Sequence, residues 1–242
     1  MTVVSQILIA DQSPIPEFIK LATESVKKYT KAQSYELFNH DTLRDFIKSH
    51  FEERVVAAYD LLKPYAYKAD LGRYCLLYVR GGWYFDISVR MIANYMPPEN
   101  CDLVAFRDRQ IHSGTNWACS NTIIYSRPHN EVFNTAIDKV VENCRARFYG
   151  ITPLCPTGPT LFGSAMAQHG PNRANIIGDM ISLTPNHLNK NNAFVLPDGE
   201  IVALCKPGDL GSLGLVGTNN YNDFWHAKRA FGESRIPERR KL

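Results

Sequence analysis

The stretch 68–88 constrains this chain more than any other part of its sequence. Residues 68–78 carry a helical pattern, Gly81-Gly82 follow almost at once, and then come Trp83-Tyr84-Phe85-Asp86, an aromatic strand closed by an acid. Asp70 and Arg73 are three apart and so share one helix face, while Leu71, Cys75 and Tyr78 line another that can rest on a sheet. The first glycine can end the helix in the left-handed conformation, and the second permits a tight entry into the strand. In an open α/β sheet, ligands bind outside the carboxyl ends of strands, where Asp86 stands. Taken singly, each residue also fits a plainer role, a surface ion pair or a turn acid.

The remaining elements extend the same pattern. An apolar run at 7–10 reads as a buried strand, 17–28 as an amphipathic helix, 35–38 as a second strand, and Asp41 as the N-cap of the next helix. Further strands are expected at 103–106 and 122–125, with a helix over 131–147. Strands at 194–196 and 201–204 flank Pro197-Asp198-Gly199-Glu200, which predicts a hairpin with a type I′ turn. Strand alternating with helix predicts an α/β fold, a mainly parallel central sheet flanked by helices with a small antiparallel edge. No repeat or low-complexity linker divides it, so one domain over 1–242 is expected.

Charge and cysteine usage narrow the function classes. Twenty-seven basic against 24 acidic residues leave a formal charge of +3, too small for a nucleic-acid binder whose affinity comes from counterion release. No run approaches the length of a membrane helix, and 3–10 lacks the basic leader of a signal peptide, so a soluble, cytoplasmic chain is expected. Arg235, Arg239, Arg240 and Lys241 form a basic C-terminus that reads as a solvated tail or as a peripheral membrane or acceptor contact. Six cysteines without CxxC spacing read as reduced thiols, and His112, His129, His169 and His187 show no zinc-ligand spacing. No G-x-G-x-x-G follows the first strand, which disfavours a dinucleotide enzyme.

Together, Asp70, Arg73, Gly81-Gly82, the aromatic strand and Asp86 with Ser88 resemble the sugar-binding region of glycosyltransferase family 32, enzymes of the initiating mannosyltransferase and capsular sugar transferase type, distantly similar to the clostridial glucosylating toxins. The resemblance continues loosely along most of the chain. Gln6-Ile7-Leu8 with Pro14-Ile15-Pro16 looks like the family's first strand, Asn121 like its asparagine segment, Thr157-Gly158-Pro159 like its Thr-Gly-Pro loop, and Tyr221 with Trp225 and His226 like its closing C-terminal segment.

The resemblance implies a GT-A-like fold and a retaining transfer of a hexose from a nucleotide-diphosphate sugar to a glycan or other hydroxyl acceptor, assisted by Mn²⁺ or Mg²⁺. UDP-glucose comes first as donor, with UDP-galactose and GDP-mannose next. Asp70, Arg73 and Asp86 would be catalytic. Donor contacts would come from Gln6, Leu8, Tyr67, Asp70, Arg73, Gly82, Asp86, Ser88, Asn121, Thr157, Gly158, Trp225 and His226. Asp86, Ser88 and Asp223, or Asn222, would hold the metal. Two departures stand out. Ser88 replaces the second acid of the DXD motif, and a hydroxyl is a weaker ligand for a hard cation. Leu8 stands where relatives place a base-stacking tryptophan, leaving Tyr65 or Tyr67 as substitutes. Asp102, Asp108, Arg107 and Arg109 would border the acceptor or form a solvated loop. The rival reading is a nucleotide-sugar-binding protein that has lost catalysis, with Ser88 as its mark. Oligomeric state is not encoded in any of these features.

Overall fold

The computed structural model describes residues 2–11, 14–183, 192–205 and 215–238. Arg239, Arg240, Lys241 and His187 lie outside the described residues, as does the side chain of His112. The chain runs β1 (Val3–Ile7), α1 (Glu17–Thr30), β2 (Ser34–Phe38), α2 (His40–His50), α3 (Glu53–Leu61), α4 (Tyr65–Arg80), β3 (Gly82–Phe85), β4 (Val89–Met91) and β5 (Leu103–Arg107). It continues through α5 (Gln110–Ser113), β6 (Cys119–Ser126), α6 (Glu131–Ala146), α7 (Pro159–Gln168), β7 (Asn175–Ser182), β8 (Asn192–Val195), β9 (Ile201–Cys205) and α8 (Tyr221–His226).

The strands form one nine-stranded sheet in the order β2-β1-β3-β6-β5-β7-β8-β9-β4. The α/β class holds, but the sheet is more mixed than the expected mainly parallel one. Among the described residues β1-β2, β1-β3 and β5-β7 pair parallel, and the other five pairings are antiparallel. Parallel neighbours need a long crossover connection. Here α1, then α2 to α4, then α6 with α7 occupy the connections that supply one, whereas the remaining links reverse the chain.

Apolar side chains fill both faces of the sheet. One cluster joins Leu71, Tyr74, Leu77, Phe133, Val140 and Phe162 beneath the helices, and another joins Val4, Trp83, Phe85, Phe106 and Phe194. Burying each large apolar side chain contributes about 1.5–3 kcal/mol. α4 is buried on nearly its whole circumference, from Tyr67 through Leu77. Asp70 and Arg73 are therefore not on a solvated face as a simple amphipathic helix would place them. They are interior charges, which the fold must pair.

Local differences from the sequence expectations have simple causes. β1 begins at Val3 rather than at 7, and Leu8 already leaves the sheet with its N–H on the Phe38 carbonyl. Asn39, not Asp41, caps α2 through a reciprocal pair with Thr42 at 2.9 Å each way. β2 ends at Phe38, so the cap falls on the next residue, and Asp41 sits in the first turn, where a carboxylate favours the helix dipole. Gly81 ends α4 at φ 62° and ψ −153°, and Gly82 follows at φ 78°. The Gly81 pair of angles lies outside the left-handed helical well, in a region that essentially only glycine uses. The β8–β9 hairpin forms, but of its turn residues only Gly199 has positive φ, and the Gly199 N–H bonds the Leu196 carbonyl. Pro197 has no N–H to pair across a two-residue Asp198-Gly199 turn and its fixed negative φ suits the second position of the turn that starts at Leu196, so the loop takes the three-residue form with a bulge. All six cysteines are free thiols. No helix among the described residues is long and apolar enough to cross a membrane.

α7 lies unusually close to the segment entering β6. A Cβ on Gly163 would fall 1.9 Å from the Trp117 carbonyl oxygen, so only glycine fits there.

Candidate functional site

α4 and β3 meet the carboxyl end of the sheet at Arg73. Its guanidinium pairs with Asp86 Oδ1 at 2.9 Å and with Asp70 Oδ1 at 3.1 Å, donates to the Asn121 carbonyl, and lies 4.6 Å from the centre of the Tyr84 ring. Asp70 is held from three sides. Asn121 Nδ2 and Arg73 share Oδ1, and Thr157 Oγ1 donates to Oδ2 at 2.7 Å. A carboxylate offers about four acceptor directions, so one remains on Oδ2. Asp86 keeps its side chain a third exposed while Tyr84 donates to Oδ1 at 2.9 Å. Its backbone is fixed by the Thr122 carbonyl and by Gln6, which donates to the Asp86 carbonyl.

Burial pushes the Asp70 carboxyl up to about 6, against the pull of Arg73, Thr157 and Asn121. Burial also works against the Arg73 charge, but Asp86, Tyr84 and Asp70 outweigh it and hold the guanidinium fully protonated. Across the cavity, burial raises Asp108 to about 6, opposed by the Arg109 N–H that caps its Oδ1 at 2.7 Å.

These groups surround a cavity of about 520 Å³, which Tyr67, Asp70, Arg73, Asp86, Ser88 and Asn121 line in part. A smaller lobe of about 200 Å³ adjoins it, bounded by Ile7, Ile9, Tyr65, Ile87 and Asn219. Arg73, Asp86, Ser88 and Tyr221 border both spaces. Asn219 ties the C-terminal segment to the start of α4 here, accepting from the Tyr65 N–H and donating to the Lys63 carbonyl. The structure thus gathers Tyr67, Asp70, Arg73, Asp86, Ser88, Asn121 and Gly158 about one hollow. Gln6 and Thr157 are fully buried behind it, Gln6 supporting Asp86 and Thr157 supporting Asp70.

Other expected residues stand elsewhere. Leu8 packs beside Ile19, Ile87 and Leu215, not on either lobe, and of the two substitutes Tyr65 lines the smaller lobe and Tyr67 the larger. Gly82 sits at the opposite end of β3, where a Cβ would lie 2.5 Å from the Val3 carbonyl oxygen, so its role is close strand packing. The Trp225 indole N–H is spent on the Tyr149 carbonyl at 2.8 Å, and neither Trp225 nor the exposed His226 lines the cavity. α8 turns Tyr221 and Asn222 toward the cavity, so Asp223, one helical step further round, is exposed and lines neither lobe. Arg107 is occupied by Asp179 at 2.6 and 2.7 Å, and Asp102 lies near Arg127 and Asn172, so of the four candidate acceptor residues Asp108 alone lines the cavity. Ile7 and Ile9 line the smaller lobe from the first strand, the segment the resemblance had pointed to, whereas sequence reasoning missed the walls supplied by Asn219, Asn192 and Cys205. The Asn219-Asn220-Tyr221 run was a usable signal, since asparagines that precede a short helix tend to cap it.

Among the described residues no three His, Cys, Asp or Glu side chains are assembled for a metal. Asp86 and Ser88 nonetheless sit two apart in the turn after β3, closed by the Val89 N–H on the Asp86 carbonyl, with the Asn222 amide on the same cavity. One carboxylate, a hydroxyl and an amide around an open cavity suit a hard cation that keeps most of its oxygen ligands from a phosphate-bearing substrate and water.

Comparison with known proteins agrees with this geometry. Residues 16–102 match the family model described as the glycosyltransferase sugar-binding region containing the DXD motif. A protein of Acanthamoeba polyphaga mimivirus, described as uncharacterized glycosyltransferase L373, is 26% identical over 196 residues, covering 79% of this chain and 74% of the relative. The solved structure of the PaToxG glycosyltransferase is similar in fold, with a TM-score of 0.56 at 18% identity over 70% of each chain. Residues 16–102 are a DXD-type glycosyltransferase sugar-binding region, and the chain that carries them is a glycosyltransferase resembling family 32.

Proposed function

We propose that the chain transfers a hexose, with retention, from a nucleotide-diphosphate sugar to a hydroxyl acceptor, and that UDP-glucose is the foremost donor, ahead of UDP-galactose and GDP-mannose. The observation that carries this reading is the bridge made by one buried guanidinium between Asp70 and Asp86 at the junction of two lobes. The small lobe, walled by Ile7, Ile9 and Tyr65, would take the nucleotide base. The larger lobe then takes the hexose, with the free Oδ2 direction of Asp70 accepting one sugar hydroxyl. The diphosphate lies between them at Arg73, Asp86 and Ser88.

Mn²⁺ or Mg²⁺ held by Asp86, Ser88 and Asn222 would neutralise charge on the departing diphosphate. The chain's own residues do the rest. Arg73 orients both carboxylates and stays charged in a low-dielectric site, where its field is strong. Asp70 is a poor candidate for a covalent nucleophile because three donors already occupy its oxygens, which favours attack from the leaving-group side, with the departing phosphate taking the acceptor proton. Asp108 faces the same space and would orient the acceptor hydroxyl. Localisation in the cytoplasm remains part of this proposal.

Release of nucleoside diphosphate from a panel of sugar nucleotides, with and without chelator, is the test. UDP-glucose should turn over, and Asp86→Ala and Asp70→Ala should each lower the rate by at least about a hundredfold. Unchanged turnover in both variants removes the mechanism. Tight binding with no turnover for any donor favours the non-catalytic rival.

A further inference from the structure

Tyr74 stands one turn beyond Asp70 on α4 and is fully buried, its ring stacked on Phe162 of α7 at 5.6 Å and near Phe133 of α6 at 6.4 Å. All of that ring belongs to the core except its oxygen. The phenol donates to the Thr157 carbonyl at 2.8 Å and accepts from Asn121 Nδ2 at 3.4 Å. Burial pushes the phenol well above its ordinary range, so it keeps the proton that it donates.

Asn121 and Thr157 are the two neutral side chains that hold Asp70, so the four residues close a ring. Asp70 Oδ1 accepts from Asn121, Asn121 donates to Tyr74, Tyr74 donates to the Thr157 carbonyl, and the Thr157 hydroxyl donates to Asp70 Oδ2. An ionised carboxylate only accepts, so every donor in the ring has a fixed direction. The ring gathers α4, β6 and the 153–158 segment at one carboxylate. A second phenol, Tyr67, donates to the Pro153 carbonyl at 2.6 Å, and α4 thereby grips that segment at both ends. No side chain separates the segment from Asp70 at Gly158, where a Cβ would stand 3.5 Å from Oδ2. Any shift of Thr157 is therefore felt at the carboxylate.

We propose that Tyr74 is a positioning residue for the donor sugar, fixing Thr157 and Asn121 so that the free direction of Asp70 Oδ2 meets one hexose hydroxyl. It lines neither lobe and touches no substrate itself. The inference rests on the reading of Asp70 as a sugar contact and adds the residue that aims it. Its hydrogen bonds lead to Asp70 and not to Asp86, so its effect falls on the sugar rather than on the diphosphate.

Donor hydrolysis and calorimetric binding by the full chain in Mn²⁺ buffer test it, with UDP-glucose, or the donor that the wild type turns over fastest, and the matching nucleoside diphosphate. Tyr74→Phe removes one oxygen and should lower kcat/KM for the donor about tenfold or more, while affinity for the nucleoside diphosphate stays unchanged. Phe133→Leu trims the packing around the same ring without touching the ring of hydrogen bonds. It should lower thermal stability and leave kcat/KM near the wild-type value. In a Thr157→Val background, Tyr74→Phe should cost about threefold or less, because the hydroxyl it aims is gone, whereas Thr157→Ser should preserve the full response. Equal losses in the wild-type and Thr157→Val backgrounds overturn the proposal, as does equal weakening of donor and nucleoside diphosphate, or a matching loss in Phe133→Leu. Absence of turnover for every donor in the wild type removes the underlying reading, whereas normal wild-type turnover that Tyr74→Phe leaves intact removes this inference alone.

Discussion

The donor cavity and the groove behind it use opposite construction. In the cavity, Arg73, Asp70 and Asp86 are knitted into a network with Asn121, Thr157 and Tyr84 before any ligand arrives. In the groove between α6, α7 and the 150–161 segment, Trp117 and Phe148 stand half exposed, and the buried hydroxyls of Thr115 and Thr160 have no partner among the described residues. Charge in a low-dielectric interior must be compensated by the fold itself, because an unpaired buried ion is far costlier than an unpaired hydroxyl. A cavity lined by charge is therefore built in advance, whereas a largely apolar groove stands without such a network.

The contrast breaks most severely at Arg73. Arg73→Ala strands Asp70 and Asp86 and should cost about 3–5 kcal/mol of folding free energy by urea unfolding, together with all donor turnover. A loss below about 1 kcal/mol would mean the network is not integral to the fold. Ser88→Asp comes next. It restores a second acid to the turn and should tighten Mn²⁺ binding in the presence of UDP about tenfold, read by paramagnetic relaxation of water. Unchanged affinity would place the cation away from this turn. Trp117→Ala should shift stability by less than about 1 kcal/mol, because its side chain is half exposed and packs loosely. A loss as large as that of Arg73→Ala would make the groove structural.

The remaining prediction concerns pH. Asp70 and Asp108 both rise to about 6 by burial. Between about pH 4, where an unfolded carboxyl titrates, and about 6, the folded chain holds protons that the unfolded chain has released. Their contribution to folding is therefore fully favourable below that window, falls as pH rises through it, and is constant above. Unfolding of the Asp70→Asn, Asp108→Asn double variant should show a flatter profile across the same window in metal-free buffer. An unaltered slope would assign the effect to other groups.

Much of the donor cavity was legible in sequence because α4 and β3 are adjacent in the chain. Helical spacing put Asp70 and Arg73 together, and Gly81-Gly82 fixed the handover to a strand ending at Asp86. What lay outside local pattern was harder to read. α3, β4 and β7 carry no clean periodicity, since β7 is half-buried along most of its length. Trp225 counted among the expected contacts to the sugar nucleotide, but the fold brings the Tyr149 carbonyl, 76 residues away, to its N–H. Asp223 and Asn222 differ by one helical step, which sequence cannot orient without knowing what α8 packs against. The excess of antiparallel pairings depends on strand order, which no single segment encodes.

The contact between Gly163 and the Trp117 carbonyl has a consequence for the cavity's shape. Backbone meets backbone there, so no rotamer change can widen or narrow the gap between the helix and the sheet entrance. The spacing of the two cavity walls that α7 and β6 supply is thus set as by a rigid gauge. Even a single methyl at position 163 would pry the gauge open, and because Pro159 at the head of α7 and Asn121 on β6 both line the donor cavity, the cavity would be reshaped without any of its own side chains being changed.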